Sequence, residues 1–415
     1  MTTAPIELEV DELPTRQRHF RVAVVTETYP PEVNGVARSV ACVVQGLQAR
    51  DHAVQLLRPR QTAVDTPTLP ALPIDEVLMR GLPVPRYPHL RMGVVSKRTL
   101  MALWASKRPD IVHIATEGPM GWSALQAARQ LKLPVVSEFR TNFHAYAQHY
   151  GIGWLRRPLL AYLRKFHNRC HSTMVPNAAL AGELMAQGFR HVNVIARGVD
   201  TQLFHPSRRS EALRASWGAA PVDPVLLHVG RLAAEKNLQL LVDLWPALRQ
   251  RHPRAKLVLV GDGPARSDLQ QQLPGAVFAG MRHGEDLAAC YASGDLFVFP
   301  SVTETYGNVT PEALASGLPV MAFQYAAAAL LVRDGQNGGL APFADASSFQ
   351  ARTLSLLEDV GALRAMRTAA RQSAESLDWD GIVQGIEQIY AAAIDGTSVA
   401  LRAGAQLSRM TAGAL

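Results

Sequence analysis

The chain has 415 residues, of which 48% are hydrophobic and 19% charged. This length exceeds what one hydrophobic core usually serves, so two domains are predicted, and the composition excludes a disordered majority. No apolar run approaches the roughly eighteen residues of a membrane-spanning helix, and the acidic N-terminus lacks the apolar core of a secretory signal. Cys42, Cys170 and Cys290 are far apart, which indicates a reducing compartment and argues against a zinc site.

The net charge of +7 is distributed unevenly. Residues 139–182 contain no Asp or Glu. The basic residues in this range are Arg140, Arg156, Arg157, Arg164, Lys165 and Arg169. Such a segment predicts contact with an anionic partner, which can be nucleic acid, a membrane surface or a phosphorylated small molecule.

Short β-branched segments alternate with helix-length segments from residue 21 onward. The predicted strands of the first half are RVAVVTE, AVQLLRP, DIVHIATE, LPVVSEF, STMVPN and VNVIARG. After residue 220 the pattern restarts with PVLLHVG, AKLVLVGDG, GAVFAG, DLFVFPS and LPVMAFQ. Continuous apolar strands separated by helices indicate parallel sheets covered on both faces. The prediction is therefore an α/β fold with two Rossmann-like, doubly wound parallel-sheet domains in tandem.

The boundary between these domains is predicted in the polar, turn-rich segment 196–210. The last clear helical pattern follows the second domain, and the residues after it are small and expected to fray. The expected division is a flexible leader over 1–18, an N-terminal domain over 19–198, a C-terminal domain over 199–377, a helix over 378–395 that packs back on the N-terminal domain, and a tail over 396–415.

A glycine turn lies between two glutamates in the segment SVTETYGNVTPEALASG, which follows the predicted strand DLFVFP. Parallel α/β sheets bind ligands beyond the carboxyl ends of their strands. Thr310 is predicted to cap a helix whose first residue is Pro311. The loop before it, with Gly307, Asn308 and Val309, can then direct backbone amides at an anion.

The two glutamates of this segment are the predicted ligand-binding carboxylates. Glu312, in the first helical turn, is expected to face outward and accept hydrogen bonds from a ribose diol. Glu304 is expected to accept hydrogen bonds from sugar hydroxyls. Taken singly, Glu312 could only favour the helix dipole and Glu304 could be a solvated loop residue. Their spacing around a Gly-Asn turn favours a ligand with a diphosphate between the two carboxylates.

Further candidates follow neighbouring strands of the second predicted domain. Arg231 and Lys236, in HVGRLAAEKN, are cations at a strand end and can neutralise a diphosphate as it leaves. The turn GDGP, with Gly261 and Gly263, is suited to lie close to the flat base of a nucleotide, although this sequence is also typical of an ordinary turn. Arg282, in MRHGED, is expected to approach the base.

These segments together resemble the retaining glycosyltransferases of family 4, which have the GT-B architecture of two Rossmann-like domains facing each other across a cleft. The matching stretches are TETYPPEVNGVARSV, GRLAAEKN, GDGP and the glutamate pair, and they span about residues 21–380. The resemblance implies a nucleotide-diphospho-sugar donor in the C-terminal domain and an acceptor in the N-terminal domain. It also implies transfer with retained anomeric configuration and without a protein nucleophile, because the departing phosphate takes the acceptor's proton.

The resemblance also assigns residue roles. Arg231 and Lys236 match the cations that bind the donor diphosphate, and Glu304 matches the glutamate that contacts the transferred sugar. Gly35, in PEVNGV, matches a glycine that lets phosphate or acceptor come close, although it is also an ordinary turn glycine. Arg197 is assigned to the acceptor site or the linker. The residues assigned to donor binding are Asn34, Gly35, Arg231, Lys236, Gly261, Gly263, Arg282, Glu304, Gly307, Asn308, Val309 and Glu312.

One departure from the family pattern affects the predicted catalytic residues. Relatives usually have Phe-His-Thr-Asn-Phe where this chain has FRTNF, so Arg140 occupies the position of the cleft histidine. Arg140 can add a positive contact to the phosphate or sugar, or His144 can take over from four residues further on. His144 can also be an ordinary helix-surface residue. Both are kept as catalytic candidates beside Glu304, Arg231 and Lys236.

The segment 153–169 combines an apolar stripe with basic residues. Leu155, Leu159, Leu163 and Phe166 fall on one side of a predicted helix. Such a helix can lie in the headgroup region of an anionic bilayer, or it can bury its stripe in the core of the domain. The absence of nearby carboxylates favours the membrane surface.

Two phrases, ARGVDTQLFHP and TETYPPEVNGV, are similar to the branch of family 4 that contains sulfoquinovosyl-, glucosyl- and mannosyltransferases acting on diacylglycerol or related lipids. This similarity implies a lipid acceptor such as diacylglycerol and a UDP-glucose-like donor, with GDP-mannose second. It further implies a cytoplasmic enzyme that is peripheral on the inner face of the membrane. The alternative is a soluble or polysaccharide acceptor within the same family.

Three other functions fit parts of the sequence. A UDP-N-acetylglucosamine 2-epimerase shares the architecture but not the glutamate pair and the GRLAAEKN run. A non-catalytic binder suits the basic charge, yet no nucleic-acid motif or interleaved aromatic platform is present, so no nucleic-acid partner is expected. Asp378 and Asp380 form the Asp-x-Asp of metal-dependent transferases. They are expected to cap the final helix, and neither a metal ion nor another cofactor is expected.

Overall fold

The computed structural model describes residues 18–32, 34–61, 65, 74–84, 87–140 and 156–397. Two separate β-sheets organise these residues, the first ending at Val194 and the second beginning at Val225. Helices pack on both faces of each sheet. The predicted fold class, two doubly wound α/β domains, is therefore confirmed.

The first sheet has eight strands. They are β1 (Arg21–Val25), β2 (Ala53–Pro59), β3 (Asp75–Val84), β4 (Tyr87–Val94), β5 (Ile111–Ile114), β6 (Val135–Glu138), β7 (Ser172–Val175) and β8 (Val192–Val194). Their order is β4-β3-β2-β1-β5-β6-β7-β8, and every neighbouring pair is parallel except the β3–β4 hairpin at one edge. The winding reverses between β1 and β5, so a crevice is expected beyond the carboxyl ends of these two strands.

Among the described residues, five helices connect these strands. They are α1 (Gly35–Ala49), α2 (Lys97–Ser106), α3 (Pro119–Gln130), α4 (Arg156–His167) and α5 (Ala178–Ala186). The side chains of Asn34, Ser96 and Asn177 cap α1, α2 and α5 by accepting hydrogen bonds from backbone N–H groups of the first turn. These caps fix where each helix begins, directly after a strand-end loop.

The second sheet has six strands and all its pairs are parallel. They are β9 (Val225–Val229), β10 (Lys256–Val260), β11 (Val277–Gly280), β12 (Leu296–Phe299), β13 (Val320–Phe323) and β14 (Gly338–Ala341). The order is β11-β10-β9-β12-β13-β14. The winding reverses between β9 and β12. The loops after these two strands are GRLAAEKN and SVTETYGN, the segments that carry the predicted donor site.

The helices of the second half cover this sheet and then return to the first. They are α6 (Glu211–Ser216), α7 (Gln239–Arg251), α8 (Arg266–Gln272), α9 (Gly284–Ser293), α10 (Val309–Ala315), α11 (Ala326–Leu331), α12 (Ala346–Glu358), α13 (Val360–Ala374) and α14 (Trp379–Asp395). Short 3₁₀ turns lie at Pro206–Arg208 and Ala234–Lys236.

Both faces of each sheet are apolar because the sheets are covered on both sides. In β1, Val22 and Val24 belong to one buried cluster, while Ala23 and Val25 belong to the cluster on the opposite face. This alternation follows from the two-residue period of a strand. The continuous apolar runs read from the sequence are therefore the expected signature of these buried parallel strands.

The last helix, α14, packs against the first sheet and α1. Ile386 and Ile389 lie in the same buried cluster as Val24 and Val40. Gly46 of α1 allows this close approach, since a Cβ at that position would lie 2.5 Å from Cγ2 of Val383. Because α14 follows the second sheet along the chain but packs on the first, it ties the two halves together.

No helix among the residues described combines the length and the apolar character needed to cross a bilayer.

Candidate active site

The loops at the two reversal points face each other across a cleft. Nδ2 of Asn308, at the start of α10, donates to the carbonyl oxygen of Gly35 at 3.2 Å and to Oγ of Ser39 at 3.1 Å. On the other side, Nδ2 of Asn177 lies 3.5 Å from the carbonyl oxygen of Thr305. The start of α1 and the start of α5 therefore meet the loop that follows β12, and the predicted donor segment forms one wall of the cleft.

Lys236 and Glu304 form an ion pair at the centre of this wall. Nζ of Lys236 donates to Oε1 of Glu304, which also accepts a hydrogen bond from Oγ of Ser301 at 2.7 Å. The two side chains are only 16% and 14% exposed. Lys236 comes from the 3₁₀ turn after β9 and Glu304 from the loop after β12, so adjacent parallel strands bring them together. The structure thus brings these two predicted site residues together, and their contact with a sugar-diphosphate stays a prediction.

Further hydrogen bonds hold these two loops in register. Oγ1 of Thr303 donates to the carbonyl oxygen of Glu235 at 2.8 Å, and Nδ2 of Asn237 donates to the carbonyl oxygen of Pro300 at 3.2 Å. Arg231 lies in the same loop as Lys236, 3.5 Å from the carboxylate of the buried Glu235, with 41% of its side chain exposed. Two cations, each beside its own carboxylate, therefore lie at the strand ends, where positive groups can contact a diphosphate.

The GDGP turn packs its backbone against the loop after β9. Gly261 has φ +134°, and a Cβ there would overlap the carbonyl oxygen of Gly230. A Cβ at Gly263 would overlap the carbonyl oxygen of Leu232, whose N–H donates to the carbonyl oxygen of Asp262 at 3.0 Å. The observed role of both glycines is thus to let the two loops touch. Their predicted contact with a flat base stays a prediction.

Replacing Gly261 by alanine is expected to lower the free energy of unfolding by about 1–2 kcal/mol, because the methyl group meets backbone as well as an unfavourable φ. Gly335 is the matched control: its φ is +75°, yet a Cβ there meets nothing within 4 Å. Urea unfolding of both alanine variants separates the clash from the φ penalty. Equal losses in the two variants would contradict the packing role of Gly261.

Glu312 is buried, and the expectation that it faces outward is wrong. The residue is 8% exposed, and its carboxylate accepts hydrogen bonds from Nη1 of Arg38 at 3.0 Å and from the hydroxyl of Tyr291 at 2.9 Å. Burial raises the pKa of the Glu312 carboxyl, while the charge of Arg38 and the bond from Tyr291 oppose this rise. Since Arg38 belongs to α1, the ion pair joins the two walls of the cleft.

The helix that carries Glu312 begins earlier than predicted. α10 runs over Val309–Ala315 with Asn308 as its N-cap residue, so Thr310 is not the cap and Pro311 is not the first helical residue. Gly307 lies in the turn before it with φ +89°, and its carbonyl oxygen accepts from the N–H of Thr310 at 3.0 Å. The positive φ explains the glycine at this position.

On the opposite wall, Asn34 and Gly35 begin α1. The Asn34 side chain accepts from the N–H of Ala37 at 2.8 Å and donates to Oγ1 of Thr28 at 2.7 Å. A Cβ at Gly35 would lie 3.4 Å from Nδ2 of Asn308. The Asn34 amide thus caps the helix, and its predicted contact with the donor stays a prediction, whereas Gly35 leaves room for the opposite wall.

Arg282 lies at the edge of the second sheet, after β11. Its side chain is exposed and Nε donates to the carbonyl oxygen of Ala279 at 3.1 Å. None of its described contacts reaches the Lys236–Glu304 pair. A contact of Arg282 with the base stays a prediction.

Arg140 and Arg197 lie deeper in the cleft, at the carboxyl end of β6 and after β8. The Arg140 side chain is 2% exposed and pairs with the carboxylate of Glu138 at 2.6 Å. Nη1 of Arg197 lies 3.5 Å from Oδ1 of Asn308, so Arg197 contacts the donor wall as well as the linker. His144, the other candidate for the cleft histidine, lies outside the described residues.

The prediction of an apolar stripe open to a bilayer is wrong for the described part of 153–169. Leu163 and Phe166 of α4 are 1% and 0% exposed, and Leu159 packs against the same core as Phe139. Arg157, Arg164 and Lys165 of α4 are exposed, and Arg164 donates to the carbonyl oxygen of Gln187 at 3.0 Å. The stripe is apolar because it completes the core of the N-terminal domain. Leu155 lies outside the described residues.

Within the described ranges, no three His, Cys, Asp or Glu side chains gather into a group that could hold a metal ion. Asp378 caps α14 by accepting from the N–H of Gly381 at 2.8 Å, and Asp380 pairs with Arg50. Asp378 is thus the predicted cap, whereas Asp380 does not cap the helix and instead has a partner at the carboxyl end of α1. The expectation that no metal takes part is untested.

Sequence analysis missed three residues of the cleft. Arg38 lies within the matching stretch TETYPPEVNGVARSV, but its sequence position indicates only an ordinary helix residue. The position of Tyr291 indicates only a residue of the hydrophobic core. Glu138 is the last residue of β6, and a carboxylate at the carboxyl end of a strand is the same signal that identified Glu304. That signal therefore could have found Glu138, whereas Arg38 and Tyr291 gain their role only through packing against Glu312.

Sequence profiles of two related families match the chain. The profile described as "Glycosyltransferase Family 4" matches residues 33–203, and the one described as "Glycosyl transferases group 1" matches residues 223–359. The first covers most of the N-terminal domain, and the second covers the whole second sheet.

Full-length relatives agree with these profiles. A GDP-mannose-dependent alpha-mannosyltransferase of Corynebacterium glutamicum is 33% identical over 90% of this chain and 89% of its own length. Sulfoquinovosyl transferase SQD2 of Arabidopsis thaliana is 33% identical over 76% of this chain and 63% of its own length. An alpha-monoglucosyldiacylglycerol synthase of Streptococcus pneumoniae is 29% identical over 73% of this chain and 71% of its own length.

A solved structure shows the same architecture. Sucrose-phosphate synthase from Thermosynechococcus elongatus matches with a TM-score of 0.75 over 92% of this chain and 100% of that chain, at 19% identity. At this identity the likeness shows the fold alone, which is the two-domain GT-B fold. With the family profiles and the relatives that match along most of its length, it shows that the chain is a hexosyltransferase belonging to glycosyltransferase family 4.

Proposed function

We propose that the chain transfers a hexose, with retention of configuration, from a nucleotide-diphospho-sugar to a membrane lipid of the diacylglycerol type. One observation carries the proposal: Lys236 and Glu304 form an ion pair at the second sheet's reversal point, in a cleft closed by α1 of the first sheet. A cation beside the predicted sugar-binding carboxylate suits a reaction in which a sugar leaves a diphosphate.

Lys236 and Arg231 share one task in this mechanism. Both bind the donor diphosphate, and their charge stabilises the phosphate as the sugar bond breaks. Glu304 accepts hydrogen bonds from hydroxyls of the transferred sugar, and Glu312 accepts them from the ribose. The leaving phosphate takes the proton of the acceptor hydroxyl, so no protein side chain forms a bond to the sugar.

The names of the relatives support GDP-mannose as the first donor to test, with UDP-glucose second. This order reverses the preference that the sequence motifs suggested, since the relative that spans 90% of the chain is a GDP-mannose-dependent alpha-mannosyltransferase. The word alpha in that name also supports retention, because GDP-mannose is itself an α-linked sugar nucleotide.

The diacylglycerol named for another relative supports a lipid acceptor reached from a membrane surface. On this proposal the enzyme is peripheral on the cytoplasmic face of the membrane. The exposed basic face of α4, with Arg157 and Lys165, is available for anionic headgroups. A soluble or polysaccharide acceptor is the alternative within the family.

The test is transfer of labelled mannose or glucose from its nucleotide to 1,2-dioleoylglycerol in mixed micelles, with the product's anomeric configuration read by NMR. Glu304→Gln is expected to lower the rate by at least about tenfold, since it removes the charge beside Lys236 and the sugar. Glu183→Gln, on the exposed side of α5, is the matched control. A β-linked product would contradict retention. Transfer only to a soluble acceptor would contradict the proposal of a lipid acceptor.

A further inference from the structure

A cavity opens where the carboxyl ends of β6 and β7 meet α14. The space free of protein atoms there is about 340 Å³, part of which is open to solvent. Glu138, Arg140 and Arg197 form its polar end, and apolar side chains that include Val43 and Ile382 form the rest. The cavity adjoins the donor wall, because Arg197 contacts Asn308 there.

Arg140 is buried at this polar end with only part of its guanidinium paired. Its Nη2 bonds to Glu138, while Nε and Nη1 make no hydrogen bond to any residue that the structure describes. The side chain is 2% exposed, so bulk water does not accept hydrogen bonds from these two groups. A buried charged donor without a partner is costly, and native proteins rarely retain one without a ligand or ordered water.

The charge of the polar end is unbalanced. Glu138 is shared between Arg140 and His113, whose Nε2 lies 2.8 Å from Oε1. Burial acts to raise the pKa of Glu138, but Arg140 and His113 outweigh it and hold the pKa at about 2. Burial lowers the pKa of Arg197 to about 10, and the positive charge of Arg140 adds to this effect. Two guanidinium groups therefore line the cavity with one carboxylate.

We propose that this cavity binds an anionic group, such as a carboxylate, a sulfonate or a phosphate, that one of the two substrates carries in addition to the donor diphosphate. Nε and Nη1 of Arg140 each retain a donor for an oxygen atom of such a group, and Arg197 supplies the second positive charge. The inference rests on the proposed function, since the group must belong to a sugar donor or its acceptor.

The proposed anion site lies apart from the predicted diphosphate site. Lys236 and Arg231 lie in the loop after β9 of the second sheet, whereas Arg140 follows β6 of the first. The group is therefore either on the transferred sugar, which reaches across the cleft, or on the headgroup of the acceptor. Both sources present the same chemistry to Arg140.

The experiment compares charged and neutral substrates in two arms. In the donor arm, calorimetry measures the affinity for UDP-glucuronate against UDP-glucose and for GDP-mannuronate against GDP-mannose. In the acceptor arm, kcat/KM for phosphatidylglycerol, which carries both a phosphate and free hydroxyls, is compared with that for 1,2-dioleoylglycerol in mixed micelles.

In one arm the wild type is expected to favour the anionic substrate. The gain is about tenfold or more in donor affinity or in acceptor kcat/KM, which a charge-assisted hydrogen bond can supply. Arg140→Gln is expected to abolish the preference, while Arg140→Lys retains part of it. Arg190→Gln, an exposed arginine of the same domain, is expected to keep it. Because Arg140→Gln leaves Glu138 without its cation, Arg197→Gln is the second variant, and the Tm of each variant checks its fold.

The outcomes separate this inference from the proposed function. Transfer from neutral donors to neutral lipid, without any preference for an anionic substrate, would overturn the inference and leave the function standing. A preference that persists in both folded variants, Arg140→Gln and Arg197→Gln, would also overturn it. Failure of every donor to bind would overturn both.

Discussion

Replacing Lys236 by methionine is expected to lower kcat for sugar transfer by about 10²- to 10³-fold, the usual effect of removing one group that stabilises charge in a transition state. The ammonium group pairs with Glu304 and is 16% exposed, so solvent does not replace its charge. The negative charge on the leaving phosphate grows only as the sugar bond breaks. The loss is therefore expected mainly in kcat, with a smaller change in the donor KM.

Lys107→Met is the matched control for this variant. Lys107 also pairs with a carboxylate, that of Asp75 at 2.9 Å, but its side chain is 65% exposed on the far edge of the first sheet. Loss of such a surface pair costs little. Lys236→Arg is expected to restore part of the rate, since it keeps the charge. A donor KM that rises in Lys236→Met while kcat stays unchanged would mean that Lys236 only binds the donor.

The fold was largely predictable because buried parallel strands are continuous apolar runs. The eleven strand segments read from the sequence all contain strands of the structure. The β3–β4 hairpin was missed, since Pro83 and Pro88 interrupt its pattern, and an edge position tolerates such residues. β14 has the sequence GGLA, which lacks β-branched side chains and pairs only at the edge of its sheet.

Only the site residues that lie directly after strands could be predicted from the sequence. Lys236 and Glu304 follow adjacent strands, so the topology brings them together. The partner of Glu312 was not predictable, because Arg38 is 274 residues away and meets it only when the domains dock. The stripe of α4 shows the same limit: amphipathic periodicity gives an apolar face but not whether a core or a bilayer covers it.

Arg38→Met is expected to lower the free energy of unfolding by about 3 kcal/mol at pH 8, and by less at pH 5. Removing one partner of a buried ion pair costs ~3–5 kcal/mol, and the lower end applies because the Arg38 side chain is 39% exposed. Burial already raises the pKa of Glu312 in the folded protein, and loss of Arg38 raises it further. A carboxyl whose folded pKa is raised favours folding while it is protonated. This contribution is lost as the pH rises through the folded pKa.

Urea unfolding at pH 5, 6, 7 and 8 tests this expectation on Arg38→Met, Glu312→Gln and the double variant. The added pH dependence should vanish in the double variant, where no carboxyl remains to titrate. If Arg38→Met loses the same stability at every pH, the ion pair does not control Glu312. Donor titration of the same proteins links the pair to function. Each oxygen of Glu312 accepts one hydrogen bond, from Arg38 or from Tyr291, and keeps a second lone pair for a ribose hydroxyl. Glu312→Gln removes one of these acceptor oxygens and should bind the donor about tenfold more weakly than the wild type, whereas Arg38→Met keeps both oxygens and should still bind it.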